Sequence, residues 1–254
     1  MHPKSAQSLF SPSMLEGCTA LITGAGKGIG RECAVRLVAS GARVIAVART
    51  QTDLTTLKEE LGEQLIPMVA DASSDEFLQQ LAHLKDINIL VNNLGTNNPQ
   101  DLVDVELESL DTMLNTNVRA VIRATQIVVR NMIATDSAGS IINISSQMGH
   151  VGSPGRTIYC ATKHALEGFT KALAVELAAQ RIRVNSVAPT FIDTPLTAPM
   201  LSNKEFSEFV LQRIPMGHIG HVADVANAVV YLASEAAALV TGTSLRVDGG
   251  WTAQ

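Results

Sequence analysis

The sequence predicts a doubly wound α/β fold, in which a mostly parallel seven-stranded sheet is covered by helices on both faces. Short apolar runs alternate along the chain with segments of helical periodicity. A glycine-rich turn joins the first apolar run to the first helical segment, and polar residues follow several later runs. This alternation is typical of a parallel sheet whose strands are buried on both faces.

Composition predicts one folded domain behind a short leader. The chain has 254 residues, of which 46% are hydrophobic and 17% are charged, so it can bury a substantial core. Residues 1–14 lack the continuous apolar stretch of a signal peptide, and we expect them to be a flexible leader to a single domain over 15–254. No apolar run is long enough to span a bilayer.

Charge and cysteine usage exclude several classes of partner. The formal net charge of −5 comes without a basic stripe, which argues against nucleic-acid and membrane partners. Cys18, Cys33 and Cys160 lie far apart without C-x-x-C spacing, so we expect reduced thiols in a cytoplasmic protein. His218 and His221 have H-x-x-H spacing without a visible third ligand, and no metal site is predicted.

The first strand, turn and helix predict a phosphate site. An apolar run over 18–23 leads into a turn with G-x-x-x-G-x-G spacing, and helical periodicity follows over 31–40. Glycines permit positive φ and close backbone approach, while a helix N-terminus offers unpaired N–H groups to a pyrophosphate. The alternative is plain helix capping, but placement between strand and helix favours a dinucleotide. The predicted contacts are Gly24, Lys27, Gly28, Ile29 and Gly30.

The second strand, over 43–48, bears on the choice of cofactor. An NAD site usually ends this strand with an acidic residue that binds the ribose 2′-hydroxyl. Here Ala48 and then Arg49 occupy that place, and a guanidinium can bind a 2′-phosphate. Lys27 would add a second cation. We therefore favour NADP(H), with NAD(H) as the alternative if both cations are merely solvated.

The remaining pattern completes the sheet. Further strands are predicted over 64–70, 87–91, 139–145, 181–187 and 244–247, with helices over 74–85, 107–134, 159–179 and 224–234. Asp71 follows the third strand, and the sequence Asn92-Asn93-Leu94-Gly95 follows the fourth, where ligands of such sheets collect. The prolines between 191 and 216 break the strand-helix alternation and predict a lid-like insertion.

Tyr159, Lys163 and Ser146 together predict carbonyl chemistry. Tyr159 and Lys163 stand four residues apart on a helix, and Ser146 follows the fifth strand. A free tyrosine titrates near ~10, so a base near neutrality needs a pKa lowered by roughly three units, part of which a nearby cation can supply. Ser146 would hydrogen-bond a carbonyl oxygen that Tyr159 protonates. The alternative is a surface tyrosine beside an ordinary lysine.

The joint order of these motifs resembles the classical short-chain dehydrogenase/reductase family. The resemblance rests on the turn over 23–30, the sequence Asn92-Asn93-Leu94-Gly95, Asn117, Ser146, Tyr159 with Lys163, and Val247-Asp248-Gly249-Gly250. Within the family, residues 117–122, 145–147 and 159–163 look like those of the L-xylulose and tetrameric carbonyl reductases.

The resemblance implies a Rossmann-type fold and a role for each matching residue. Tyr159 would be the general acid/base, Lys163 the ribose ligand that tunes it, and Asn117 the holder of a water linked to Lys163. Ser146 would orient the substrate oxygen, with Gln147 and Tyr159 also contacting substrate. The implied cofactor contacts include Asp71 at the adenine, Asn93 at the ribose, Pro189, and both Ile192 and Thr194 near the carboxamide. Leu94 and Thr190 depart from the usual alanine and glycine and narrow the space near the cofactor.

The implied function is NADP(H)-dependent interconversion of a ketone and a secondary alcohol, on a sugar, polyol or small carbonyl compound. The alternatives are a 3-oxoacyl thioester reductase and a nucleotide-sensing protein that keeps the fold without turnover. The resemblance also implies a homotetramer.

Overall fold

Seven parallel strands form one sheet in the order β3-β2-β1-β4-β5-β6-β7 within residues 10–254, the part of the chain that the computed structural model describes. The predicted doubly wound fold is confirmed. The strands are β1 Thr19–Thr23, β2 Arg43–Ala48, β3 Leu65–Val69, β4 Ile89–Asn92, β5 Gly139–Ile144, β6 Ile182–Pro189 and β7 Ser244–Val247.

Helices cover both faces of this sheet. Their bounds are α1 Gly28–Ala39, α2 Gln51–Leu61, α3 Asp75–His83, α4 Leu107–Leu114, α5 Ala120–Ala134, α6 Thr157–Leu177, α7 Ala198–Leu201, α8 Lys204–Gln212 and α9 Val222–Ala233. Within residues 10–254, none of the helices is both long enough and apolar enough to cross a membrane.

Alternate residues of β1 enter opposite cores. Ala20 and Ile22 belong to the cluster that packs against α1, α2 and α9, whereas Leu21 belongs to the cluster that packs against α3, α5 and α6. All three side chains are fully buried. Burial on both faces explains why the strand reads as an unbroken apolar run.

The sheet reverses its winding direction between β1 and β4. β1 pairs with β2 on one side and with β4 on the other, so successive crossovers diverge from this point. A crevice opens there at the carboxyl ends of the strands, which is where such sheets bind ligands. The Gly24 turn and the Asn93 segment both emerge at this crevice.

The predicted single helix over 107–134 is wrong in one respect. A π-helical turn at Asn115–Arg119 separates α4 from α5. Asn117, inside this turn, is held by hydrogen bonds to the backbone of Thr96 and the hydroxyl of Thr162. These contacts across the fold account for a wide turn that local periodicity does not reveal.

Several predicted boundaries also shift. α6 begins at Thr157, two residues before the predicted start at Tyr159. β6 continues to Pro189, because Pro189 still pairs with Val247 of β7. Because β6 ends at Pro189, the 191–216 segment begins at the carboxyl ends of the strands, where the Gly24 turn also lies.

The described part of the predicted leader packs against the domain, and the predicted insertion contains buried residues. Residues 1–9 of the predicted leader lie outside the described residues, while Phe10 and Met14 pack against the core that contains α1. In the 191–216 segment, Phe191, Val210 and Ile214 form a small core of their own. The lid interpretation of that segment stays a prediction.

Candidate active site

Three positions in the turn after β1 favour glycine over any residue with a side chain. Gly24 and Gly28 have φ of 68° and 56°, which side-chain-bearing residues rarely adopt. A Cβ on Gly30 would collide with the carbonyl oxygen of Gly24 and the amide of Asn93. Lys27, the N-cap of α1, makes no side-chain cap, so the first N–H groups of the helix remain for a ligand.

A cavity of about 480 Å³ opens beside this turn, a size typical of cofactor sites. Its walls come from the glycine turn and from the segments that follow β2, β3, β4 and β6. Of the predicted cofactor residues, seven line it: Gly24, Lys27, Gly28, Ile29, Arg49, Asn93 and Thr194. Glycine backbone, a helix N-terminus and two cations fit an extended dinucleotide with phosphate groups.

The two predicted cations differ in their surroundings. The ammonium of Lys27 lies 3.6 Å from the carboxylate of Asp53, which also lines the cavity. None of the ion pairs among residues 10–254 includes Arg49. Sequence reasoning did not single out Asp53, although its place in the first turn of α2 is the signal that could have found it.

Asn93 ties the fourth strand to the glycine turn. Its side-chain amide donates to the carbonyls of Thr23 and Gly24 at 3.2 and 3.0 Å. Asn93 thereby fixes the shape of the turn as well as lining the cavity.

The predicted contact of Asp71 with the adenine stays a prediction. Its carboxylate accepts hydrogen bonds from the Ser73 backbone and hydroxyl at 2.9 and 2.7 Å, and these bonds lower its pKa. Its neighbours Ala70 and Ala72 line the cavity, but Asp71 does not. Gly30, Pro189 and Ile192 are not lining residues either: Gly30 packs under the turn, Pro189 ends β6, and Ile192 is buried.

Tyr159, Lys163 and Ser146 converge where β5 ends. Lys163 is buried and donates to the carbonyl of Ile144, the last residue of β5, at 2.9 Å. Its ammonium lies 5.6 Å from the centroid of the Tyr159 ring. Ser146, just past the end of the same strand, lies close enough to Tyr159 to act on the pKa of its phenol. The strand end and one face of α6 therefore bring the three predicted side chains together.

Gly95 links this cluster to the cavity. A Cβ on Gly95 would stand 3.7 Å from both the Lys163 ammonium and the Asn117 amide oxygen. Gly95 also lines the cavity, so Lys163 and Asn117 lie next to one of its lining residues. Asn117 itself is fully buried.

The pKa of Tyr159 shifts in the direction opposite to that expected from the sequence. Burial raises it, and the Ser146 hydrogen bond and the Arg156 charge only partly oppose that rise. The expectation of a lowered pKa was wrong because it counted the nearby lysine and not the loss of solvent. Burial also lowers the pKa of Lys163 to about 8, although the Glu167 charge acts against it. Lys163 is therefore mostly charged near neutrality.

Ser146 already has a partner in the structure. Its hydroxyl donates to the side-chain oxygen of Gln147 at 2.7 Å and accepts from the Met148 backbone at 3.1 Å. Both Ser146 and Gln147 are buried. A carbonyl oxygen that accepts from Ser146 must therefore displace the Gln147 amide oxygen.

A second cavity, of about 530 Å³, shares residues with the small core against which Tyr159 packs. Met148 and Phe191 line it and also belong to the small core against which Tyr159 packs. Arg156 lines it as well. This cavity is a candidate substrate site, because two of its lining residues belong to the core against which Tyr159 packs and because the Arg156 charge acts on the phenol.

Two charged residues of this site were missed. Arg156 precedes Tyr159 by three residues, and Glu167 follows Lys163 by four, so helical spacing from the catalytic pair is the signal that could have found both. The Glu167 carboxylate is buried and accepts from Ser186 and Ser244 at 2.8 and 3.2 Å. Its distance to the ring nitrogen of His150 is 3.5 Å.

Comparison with known proteins gives consistent matches over nearly the whole chain. A family model described as enoyl-(acyl carrier protein) reductase matches residues 24–252. L-xylulose reductase of Bos taurus is 41% identical over 241 residues, covering 94% of this chain and 98% of that protein. A putative 2-deoxy-D-gluconate 3-dehydrogenase from Agrobacterium tumefaciens with bound NADP superposes with a TM-score of 0.90 at 36% identity, covering 96% of this chain and 99% of that chain. A gluconate 5-dehydrogenase from Burkholderia cenocepacia, in complex with NADP and tartrate, gives 0.90 at 32% identity, covering 96% and 98%.

Proposed function

The chain belongs to the short-chain dehydrogenase/reductase family, and on that premise we propose that it interconverts a ketone and a secondary alcohol with NADP(H). One observation carries the proposal: Tyr159, Lys163 and Ser146 converge at the end of β5, where the Lys163 ammonium lies next to Gly95, a lining residue of the cavity built around the glycine turn. Bound NADPH would supply the hydride for reduction. The chain must bind the nucleotide, orient the ketone and move the proton.

NADP(H) is favoured over NAD(H) for reasons of charge. Arg49 occupies the place where an acidic residue would bind a free 2′-hydroxyl, and it has no ion-pair partner among the described residues. The two superposed dehydrogenases contain bound NADP. Gly24, Gly28 and the N-terminus of α1 would hold the pyrophosphate, with Asn93, Thr194 and Lys163 further along the nucleotide.

Tyr159 would handle the proton. In reduction its phenol protonates the carbonyl oxygen, and a raised pKa keeps that proton in place near neutrality. The Lys163 ammonium would stabilise the phenolate left behind, and Ser146 would turn from Gln147 to hydrogen-bond the substrate oxygen. Asn117, beside Lys163 at Gly95, would hold the water through which the lysine exchanges protons with solvent.

The substrate is proposed to be a sugar, polyol or small carbonyl compound. The support is the likeness to L-xylulose reductase and to two dehydrogenases named for gluconate-type substrates. A 3-oxoacyl thioester is the second candidate, favoured by the description of the matching family model. A nucleotide sensor without turnover is the non-enzymatic candidate.

Assembly as a homotetramer and a cytoplasmic location are further parts of the proposal. Exposed Leu107 on α4 and Val175 on α6 offer apolar surface for contacts between copies. All three cysteines are free thiols, as expected in a reducing compartment. Light scattering coupled to size-exclusion chromatography would test the assembly, and fractionation of the tagged chain would test the location.

A substrate panel tests the activity. Ketoses, diketones, polyols and acetoacetyl thioesters are each assayed with NADPH and NADH by nicotinamide absorbance, with Tyr159→Phe as the inactive control. We expect turnover of ketoses or polyols with NADPH. Turnover of the thioesters alone would favour the second candidate, and no turnover with nucleotide binding intact would favour the sensor.

A further inference from the structure

The guanidinium of Arg156 is buried without an adequate partner. The residue is only 7% exposed, and its Nη1 atom has no hydrogen-bond partner among the described residues. Its Nη2 atom donates to the sulfur of Met200 at 3.3 Å, a weak acceptor. A buried charge is normally paired, because removing it from water without a partner is unfavourable. Arg156 therefore lacks a suitable partner among the described residues, and a bound ligand could supply one.

Arg156 lies in the second cavity, within reach of the Tyr159 phenol. It lines the cavity of about 530 Å³ together with the apolar side chains of Met148, Phe191 and Trp251. Its charge reaches Tyr159, since each residue shifts the pKa of the other. A ligand held by Arg156 would therefore lie near Tyr159, where the proposed function places the ketone.

The acidic residues near Arg156, which are Glu205 and Asp101, form no ion pair with it within residues 10–254. Glu205 lines the same cavity from α8 but is exposed, and it forms no ion pair with Arg156 in the described part of the chain. Burial raises the pKa of the Cys160 thiol, so this neighbour is neutral near pH ~7. The cavity consequently presents one buried cation in an otherwise largely apolar wall.

We propose that Arg156 determines substrate specificity by binding a carboxylate, so that the preferred substrates are keto acids and hydroxy acids of the aldonate type. The inference rests on the proposed function and narrows its substrate class. A guanidinium binds a carboxylate through two parallel hydrogen bonds, and the pairing is strengthened where water is excluded. A phosphate ester fits less well, because a dianion would meet a single cation here.

The competing role for Arg156 is to stabilise the Tyr159 phenolate. In that role its loss would slow every substrate alike and would shift the pH profile of the reaction. Binding of a carboxylate instead affects only those substrates that carry one. Matched substrates therefore separate the two roles.

The kinetic test compares a six-carbon keto-aldonate with its methyl ester, the ketose of equal length and the corresponding ketose phosphate, each with NADPH. We expect kcat/KM for the acid to exceed that for the ester by about 10-fold to 100-fold, the range of one charge-assisted pair. In Arg156→Gln the acid should lose at least about 10-fold more than the ester, and Arg156→Lys should recover part of that difference. The matched control is Arg130→Gln, which removes the same charge from an exposed arginine on α5 outside the cavity.

Some kinetic results would overturn the inference while leaving the proposed function intact. They are equal efficiency for acid and ester in the unmodified chain, a preference for the ketose phosphate, or equal losses on all substrates in Arg156→Gln. The comparison within the unmodified chain also decides the matter if Arg156→Gln does not fold.

A binding test separates this inference from the proposed function. With NADPH present, gluconate should raise the melting temperature more than glucitol does, and Arg156→Gln should abolish that difference. If no ketone is reduced but this Arg156-dependent shift appears, carboxylate binding stands and the proposed activity falls. No difference between gluconate and glucitol overturns carboxylate binding.

Discussion

The ammonium of Lys163 lies 5.6 Å from the centroid of the Tyr159 ring and gives a hydrogen bond to the Ile144 carbonyl. The lysine is thus anchored to the end of β5, close to the Tyr159 ring. Removing the hydroxyl of Tyr159 should leave this anchor in place, so the proton-transfer and binding roles can be separated by mutation.

Tyr159→Phe should lower kcat by at least about 100-fold while NADPH affinity stays within a few-fold, because only the transferable proton is lost. Lys163→Ala should damage both quantities, since it removes the cation and a donor to the nucleotide. Steady-state kinetics and nucleotide titration by fluorescence measure the two effects. A Tyr159→Phe rate within a few-fold of the parent would remove Tyr159 from the mechanism.

The two directions of reaction should depend on pH with opposite signs. Reduction needs the phenol and should slow as pH rises through the Tyr159 pKa, whereas oxidation needs the phenolate and should accelerate. Lys163, with a pKa of about 8, loses its charge as pH rises above that value, so nucleotide affinity should decline there. Rates under saturating nucleotide, with chemistry shown to limit them, separate the two titrations. Parallel profiles in both directions would contradict the role of Tyr159.

Cofactor choice should depend more on Arg49 than on Lys27, because Lys27 already lies 3.6 Å from the Asp53 carboxylate. One charge-assisted contact contributes roughly 1.5–3 kcal/mol, or about one to two decades of affinity. Replacing Ala48 with Asp and Arg49 with Leu should reverse the preference from NADPH to NADH. Asp53→Asn should strengthen NADPH binding by freeing Lys27. Equal kcat/KM with both nucleotides in the unmodified protein would show that these cations do not select the cofactor.

Glu167→Gln should lower the pKa of Lys163, so that a smaller fraction of this lysine is charged at a given pH. The Glu167 carboxylate raises the pKa of Lys163 against the larger effect of burial, so its removal should move that pKa below about 8. The pH at which NADPH affinity declines should fall accordingly. Nucleotide titration across pH measures the shift, and Glu176→Gln on the exposed side of α6 is the matched control. His150, the other titratable group facing Glu167, is tested by His150→Gln, which should move the profile less. An unchanged profile in Glu167→Gln would contradict the coupling.

The sequence predicted the sheet, the glycine turn and the convergence of Ser146, Tyr159 and Lys163, because strand ends and helical spacing carry that information locally. It did not predict the sign of the Tyr159 pKa shift or the isolation of Arg156. Both depend on burial by segments distant in sequence, such as the Phe191 region.

The sequence also did not predict which polar side chains pair with each other. The carboxylate of Asp53 is adjacent to Lys27 only because α2 packs beside the glycine turn. The resemblance implied a contact of Asp71 with the adenine, and it did not reveal that Ser73, two residues away, donates two hydrogen bonds to the same carboxylate. Competition between a nearby hydroxyl and a distant ligand cannot be judged from position alone.

Because of the π-helical turn at Asn115–Arg119, the position of Asn117 depends on the number of residues in this segment. Each residue of an α-helix advances the next by about 100°, so deleting one codon here would allow regular α-helical bonding but rotate α4 by that angle relative to α5. Asn117 would then turn away from Thr96 and Thr162. An in-frame deletion that is nearly neutral for helix formation would therefore dismantle the site, and this segment should tolerate amino-acid substitutions better than insertions or deletions.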